Sequence, residues 1–444
     1  MVPRHRVVIL GGGFAGLNAA EKLKRAPVEV TLIDRRNFHL FQPLMYQVAT
    51  GSLSPGEIAA PLRGVLSRQK NAQVLLGEAV DIDPDAKRVI LRDGAEYEYD
   101  SLIVATGSKT SYYGKEAWRE WAPSLKTVEE ATAIRHKILY AFELAERAKT
   151  EAEARAWLTF VIVGAGATGL ELAGALAEIA QETLKHDFRH INPTEARIIL
   201  IEGGPRVLGG YPEDLSAKAE KLVKKLGVEV RKGVMVTDIN EEGVTYKEGD
   251  VTGKFAARTV LWAGGVITTA FGKRLGERTH AATDKQGRIK VNPDLTVPNY
   301  PNIFVTGDLA TLDGKNGKPL PGVAQVAIQG GAYAAKTIVA RLEGKRDVKP
   351  FHYFDLGDMA VIGRASAVAN IFGIHVSGLP AWLIWLFIHL MNIVEFQNRV
   401  LVFIQWGFEY LTFSRGARLI TGPAATDVDK QTQTTLQTVG TGKG

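Results

Sequence analysis

The sequence contains no cysteine in its 444 residues. That one absence excludes disulfide staples, thiolate nucleophiles, cysteine-ligated zinc and cysteine-ligated iron–sulfur clusters together. The chain also lacks an apolar run of the about 20 residues that a membrane-spanning helix needs. The nearest candidates, 379–394 and 400–413, are shorter and carry His389, Asn392, Gln405 and Glu409. Neither sign of charge dominates: Lys+Arg total 54 and Asp+Glu 48, a net +6. An excess of that size suits an anionic membrane surface. With no basic patch interleaved with aromatics outside the C-terminal region, nucleic acid is not expected as a partner. The apolar run at 7–10 follows a basic start but is shorter than the about 7–15 residues of a signal core, so no targeting segment is expected. Hydrophobic residues at 45% and charged residues at 23% exclude disorder of the whole chain, and the length points to two or three domains.

The sequence does have glycines at meaningful spacing. A buried-strand pattern at 7–10 runs into Gly11, Gly13 and Gly16, and a helical pattern follows at 17–25. A second strand at 28–33 closes a βαβ unit. The first glycine of G-x-G-x-x-G permits a tight turn, the second lets backbone approach a pyrophosphate, and the third lets helix and strand pack closely. Asp34 lies 21 residues after Gly13, at the strand end, where a carboxylate accepts hydrogen bonds from ribose hydroxyls. The unit repeats about 150 residues later: a strand at 158–163, then Gly164, Gly166 and Gly169, a helix at 170–179, and a strand at 196–201 ending in Glu202. An acid there favours the free ribose of NADH over the phosphate of NADPH; Arg206 nearby is the residue type that would favour the phosphate. Two dinucleotide units in one chain imply one bound cofactor and one that exchanges. Further strands are expected at 99–105, in short pieces across 227–260, and at 302–305, with a helix at 322–338.

Three other patterns stand out. Gln325 and Gln329 lie four apart on one helix face, and each offers amide donors and acceptors suited to a carbonyl-bearing ring or simply to solvent. Glu171 falls in the first turn of the second helix, where the helix dipole alone favours an acid. The C-terminal region holds Trp382, Trp385 and Trp406, three of the seven tryptophans, with Arg399, Arg415 and Arg418 nearby. Such a mixture suits amphipathic helices lying in one leaflet, with the arginines reaching lipid phosphates. A buried helical pair or a dimer interface is the alternative. Beyond residue 423 the composition turns to Thr, Gln, Gly and Lys and reads as a disordered tail.

On these motifs the chain resembles the two-dinucleotide-binding-domain flavoproteins, in which the first site holds FAD, the second holds NAD(P)H, and A-T-G and T-G-D motifs complete the FAD site. Ala105-Thr106-Gly107 and Thr306-Gly307-Asp308 match those motifs. Members that work through thiols are excluded by the missing cysteine. Within the group the chain resembles the type II NADH:quinone oxidoreductases. It shares A-Q-x-A-x-Q at 324–329, the segment 38–44 with 48–51 after it, and Trp262-Ala263-Gly264-Gly265. The resemblance runs from about Arg6 to Ile420.

The resemblance implies an α/β fold of two Rossmann-like domains, for FAD and NADH, plus a C-terminal membrane-associating helical region. The expected division is 1–113 and 286–350 for FAD, 114–285 for NADH, 351–422 for the membrane and 423–444 for the tail. Non-covalent FAD is expected against Gly11, Gly13, Phe14, Ala15, Gly16, Asp34, Arg35, Asn37, Phe41, Gln42, Pro43, Val80, Ala105, Thr106, Gly107, Asp308, Ala324 and Gln325. NADH is expected against Gly164, Gly166, Thr168, Gly169, Glu171, Glu202, Ala263 and Gly264. Gln325 and Gln329 are expected to bind quinone, and Glu171 to contact substrate or supply a proton. The implied activity is hydride transfer from NADH through FAD to a membrane quinone, without proton pumping. A homodimer on the cytoplasmic face of a bacterial cell membrane is expected. A flavin reductase for a soluble redox protein and a slow-turnover NADH/FAD-binding sensor remain the alternatives.

Overall fold

The computed structural model describes residues 4–314, 317–345 and 348–421. The expected tail at 423–444 lies outside the described residues.

Two parallel sheets organise the molecule. In the first, His5–Leu10 is central and pairs in parallel with Val28–Asp34 on one side and Ser101–Val104 on the other. Ala72–Leu76 extends one edge and Tyr300–Val305 the other, so the sheet recruits chain from both sides of the second sheet. Strands of such a sheet are covered on both faces, which is why Val7, Ile9, Ile103 and Phe304 are fully buried and the apolar runs do not alternate. The second sheet repeats the plan. Thr159–Val163 lies between Arg197–Glu202 and Thr259–Trp262, with Glu229–Lys232 beyond. The chain passes between the two sheets along an antiparallel pair, Ser108–Thr110 with Val266–Thr268.

Both glycine-loop helices start earlier than the sequence pattern indicates, at Phe14–Lys22 and Ala167–Glu178. Gly13 and Gly166 are their N-caps, so Gly16 and Gly169 fall in the first helical turn and not in a loop. The helix expected at 322–338 is Ala324–Leu342.

The region after Phe351 departs most from expectation. It does not begin with helix. Asp358–Gly363, Ser366–Ile371 and Ile374–Gly378 form an antiparallel three-stranded sheet ahead of two helices, Leu379–Asn392 and Phe396–Thr412. Its first strand lies against the second glycine-loop helix so closely that a Cβ on Gly174 would run into the Ile362 carbonyl oxygen. The C-terminal region is therefore part of the core that the second loop rests on. Among the described residues no helix is long and apolar enough to cross a membrane. The two terminal helices bury Ala381, Trp385, Val402 and Trp406 inward and leave Leu383, Phe387, Phe403 and Phe408 exposed.

Candidate active site

The two glycine loops have the same internal wiring. Gly11 and Gly164 both adopt φ +102°, a conformation that a side chain rarely tolerates. Each donates its N–H to the last apolar residue of the neighbouring strand: Gly11 to Ile33 O and Gly164 to Ile201 O, both at 2.8 Å. The strand-end acids close the loops from the other side. Asp34 accepts from Gly12 N at 2.5 Å and Arg36 N at 2.7 Å. Glu202 accepts from Ala165 N at 2.8 Å and Gly204 N at 2.7 Å. One carboxylate thus clamps the glycine turn to the strand end in each unit and keeps lone pairs for sugar hydroxyls. A Cβ placed on Gly13 or Gly166 would meet nothing within 4 Å, so both helix N-termini present open backbone to an incoming anion. Arg206 donates to Gly209 O at 2.9 Å and lies 3.6 Å from the exposed Glu213.

Around the first loop the remaining expected residues divide by exposure. Phe41, Ala15 and Ala105 are buried. Phe14 packs edge-on against His39 at 5.2 Å and Phe41 at 5.9 Å. Burial holds His39 below the usual imidazole range despite its bond to Gly12, so it is neutral and donates Nδ1–H to Gly12 O at 2.9 Å. Thr106 and Gly107 are half-buried, as are Pro43, Val80 and Ala324; Arg35, Asn37 and Gln42 are exposed. Asp308 accepts from Ser108 Oγ at 2.8 Å and Lys126 Nζ at 3.1 Å. Burial opposes its ionisation, but the Lys126 charge and the Ser108 hydrogen bond outweigh that and hold it below the usual carboxylate range. It therefore stands as an ionised acceptor.

At the second loop Thr168 and Ala263 are half-buried, and the Ala263–Gly264 backbone presses against Gly164. Glu171 faces a cavity of about 770 Å³, counting its open mouth, bounded by Tyr46, Gln47, Trp385, Trp406 and Glu409. Burial pushes Glu171 up to about 8, slightly opposed by the Val361 backbone, so it keeps its proton at neutral pH. Burial likewise pushes Glu409 up to about 7, against the pull of Arg415. Burial, then the nearby Glu171, raises the Tyr46 phenol well above its normal range.

Gln325 and Gln329 do share a helix face, but both amides are engaged by the segment that leads into the C-terminal sheet. Gln325 donates to Gly357 O at 3.1 Å and accepts from Tyr353 Oη at 3.2 Å and Leu356 N at 3.3 Å. Gln329 makes a reciprocal pair with the Phe354 backbone, both bonds at 2.9 Å. Each keeps one uncommitted amide N–H.

Two expectations for the C-terminal residues are overturned. Trp385 and Trp406 are not at a lipid surface; they are 2% and 8% exposed and wall the cavity. Arg415, also 8% exposed, pairs with Glu178 at 3.0 Å and donates to Thr50 O at 3.2 Å, and Arg418 pairs with Asp187 at 2.6 Å. Both guanidiniums are held by carboxylates of the protein, the half-buried Glu178 and the exposed Asp187. The sequence reading also missed a relay: Trp406 Nε1 donates to Gln47 Oε1 at 2.7 Å, and Gln47 Nε2 donates to Tyr46 Oη at 2.8 Å. Tyr46 and Gln47 sit in the gap between two stretches that carried the resemblance, which was the available signal.

Comparison with known proteins now bears on this arrangement. Residues 5–331 match the pyridine nucleotide-disulphide oxidoreductase family and 356–415 match the NDH2 C-terminal domain. The type II NADH:quinone oxidoreductase Ndh of Mycobacterium tuberculosis is 46% identical over 95% of this chain and 91% of its own length. The chain belongs to the type II NADH:quinone oxidoreductases. A Staphylococcus aureus member is 30% identical over 85% of this chain and 92% of its own length. The NDH2 structure from Plasmodium falciparum in complex with NADH superposes with a TM-score of 0.84 at 20% identity, covering 93% of this chain and 99% of that one. The sulfide:quinone oxidoreductase of Aquifex aeolicus gives 0.71 at 20% identity over 96% and 94%. At that identity both speak for the fold alone. The broader family is named for a disulphide, yet this type II chain has no cysteine to form one. It keeps the two-sheet frame and discards the thiol chemistry.

Proposed function

We propose that this chain oxidises NADH at the second glycine loop and reduces a quinone held in the aromatic-walled cavity, with FAD bound at the first loop. The observation that carries this reading is the position of Glu171. One side chain a full turn into the NADH-loop helix faces the cavity that the C-terminal helices wall.

The first loop fits a flavin dinucleotide: open backbone at Gly13, Asp34 for the ribose, and ionised Asp308 for a polyol chain. Bound there, FAD supplies the capacity to accept a hydride and release two electrons. The protein's own contribution is positioning and electrostatics. Glu202 and the Gly166 helix terminus fix the NADH ribose and pyrophosphate. Quinone becomes quinol by gaining two electrons and two protons. Glu171, protonated at pH 7, holds one such proton facing the cavity. Gln325 and Gln329 do not line that cavity; they hold the 353–357 segment that leads into its Val361–Arg364 wall.

We divide the chain accordingly: 1–113 and 286–350 for FAD, 114–285 for NADH, and 351–422 for the membrane side. The exposed face of Phe387, Phe403 and Phe408 rests on the cytoplasmic surface of a bilayer, where lipid-soluble quinone reaches the cavity mouth. A second copy shares part of that face in a homodimer.

The test is NADH oxidation by purified full chain with ubiquinone- and menaquinone-type acceptors. Quinone-dependent turnover is expected. Rapid reduction of a soluble iron–sulfur protein with none of quinone would favour the flavin-reductase alternative, and slow turnover with every acceptor would favour the sensor.

A further inference from the structure

The cavity walls hold two buried donors without a partner among the described residues, the Trp385 indole N–H and the Nη1 group of Arg364, and the indole is the neutral one. Trp385 and Trp406 lie against each other with ring centroids 5.5 Å apart, and both are nearly inaccessible to solvent. The Trp406 N–H is spent on Gln47. The Trp385 N–H is buried and has no partner. Buried donors without a partner are rare in folded proteins. No acceptor among the described residues lies within hydrogen-bond reach of it; His389, stacked on the ring at 4.3 Å, has its Nδ1 bonded to the Trp385 carbonyl. A buried donor without a partner, on a ring that lines a cavity, asks for an acceptor carried by whatever fills it.

The rest of the wall says what shape that is. Trp382, Trp385, Trp406, Tyr410 and Phe413 present flat rings to the same space. Aromatic walls favour a planar conjugated ligand by offset or edge contact. A planar ring that also carries an acceptor oxygen meets both demands.

We propose that the Trp385 indole N–H donates to one carbonyl oxygen of the quinone ring and so fixes its orientation in the cavity. This rests on the reading of the cavity as the quinone site and adds the residue that orients the ring. Glu171 lines the same cavity and serves the reacting end; Trp385 positions without exchanging a proton.

The test uses Trp385→Phe in the full-length holoenzyme, which keeps a smaller aromatic ring in the wall and removes the donor. The acceptors are a short-chain ubiquinone analogue and ferricyanide, a small soluble oxidant with no carbonyl to bind. Loss of one neutral hydrogen bond raises the KM for the quinone about 3- to 10-fold. Flavin content, the KM for NADH and the ferricyanide rate stay at wild-type values, which a folding defect would not allow. Unchanged quinone KM in the variant overturns the proposal alone. Wild-type protein that turns over ferricyanide but no quinone overturns the reading of the cavity, and the proposal with it.

Discussion

The raised pKa of Glu171 gives the sharpest test of how the cavity works. Replacing Glu171 by Gln keeps the size and a hydrogen-bond donor but removes the transferable proton. With a pKa of about 8, about nine-tenths of wild-type molecules carry that proton at pH 7 and about one-tenth at pH 9. If the acid form serves quinone reduction, reoxidation of reduced enzyme by quinone falls about nine-fold across that interval in the wild type. In Glu171→Gln the same step is slower at pH 7 by about 100-fold, the lower end for a positioned general acid, and flat from pH 7 to 9. Stopped-flow absorbance follows each half-reaction separately, and reduction by NADH is expected to change little. The linkage has a definite sign. The folded state holds this proton above the range in which an unfolded glutamate loses it, so the wild type loses stability as pH rises from about 4.5 to about 8, by at most about 1.4 kcal/mol per unit. The variant lacks that slope, which thermal melts at several pH values would reveal. An inflection near pH 8 that survives in Glu171→Gln would refute the assignment.

Other perturbations follow from the packing. Arg415→Ala leaves the half-buried Glu178 carboxylate without its charge partner and is expected to cost about 1–3 kcal/mol, read as a lowered Tm. Gly174→Ala drives a methyl into the Ile362 carbonyl and should cost about 1–3 kcal/mol in the same melt, with weakened NADH reduction because the loop helix shifts. Phe387→Glu with Phe403→Glu should release the protein from sedimented lipid vesicles while preserving NADH–ferricyanide activity. Gln329→Ala removes both bonds to the Phe354 backbone and is expected to lower the quinone rate more than the ferricyanide rate.

The two nucleotide units were legible because everything that specifies them is local. Strand, glycine turn, helix and terminal acid span 5–34 in the first unit and 159–202 in the second, and the clamp from Asp34 to Gly12 spans only 22 positions. The C-terminal sheet was not. Its strands run only five or six residues, and its turns, at Ala365 and at Phe372-Gly373, lack the Asn-Gly or Asp-Gly pair that marks a hairpin. The cavity was hidden for another reason. Trp406 reaches Gln47 across 359 positions and Arg415 reaches Glu178 across 237, and no local pattern records such pairs. The tryptophans were correctly marked as unusual, but composition cannot tell a lipid-facing indole from one lining an internal wall.

Electron passage from NADH to quinone runs through a flavin held by a chain without thiols. Anaerobic stopped-flow on flavin-loaded protein tests it most directly. NADH is expected to bleach the visible flavin absorbance, and a quinone added next to restore it at a rate no slower than steady-state turnover. Flavin that NADH bleaches but quinone leaves bleached would contradict it.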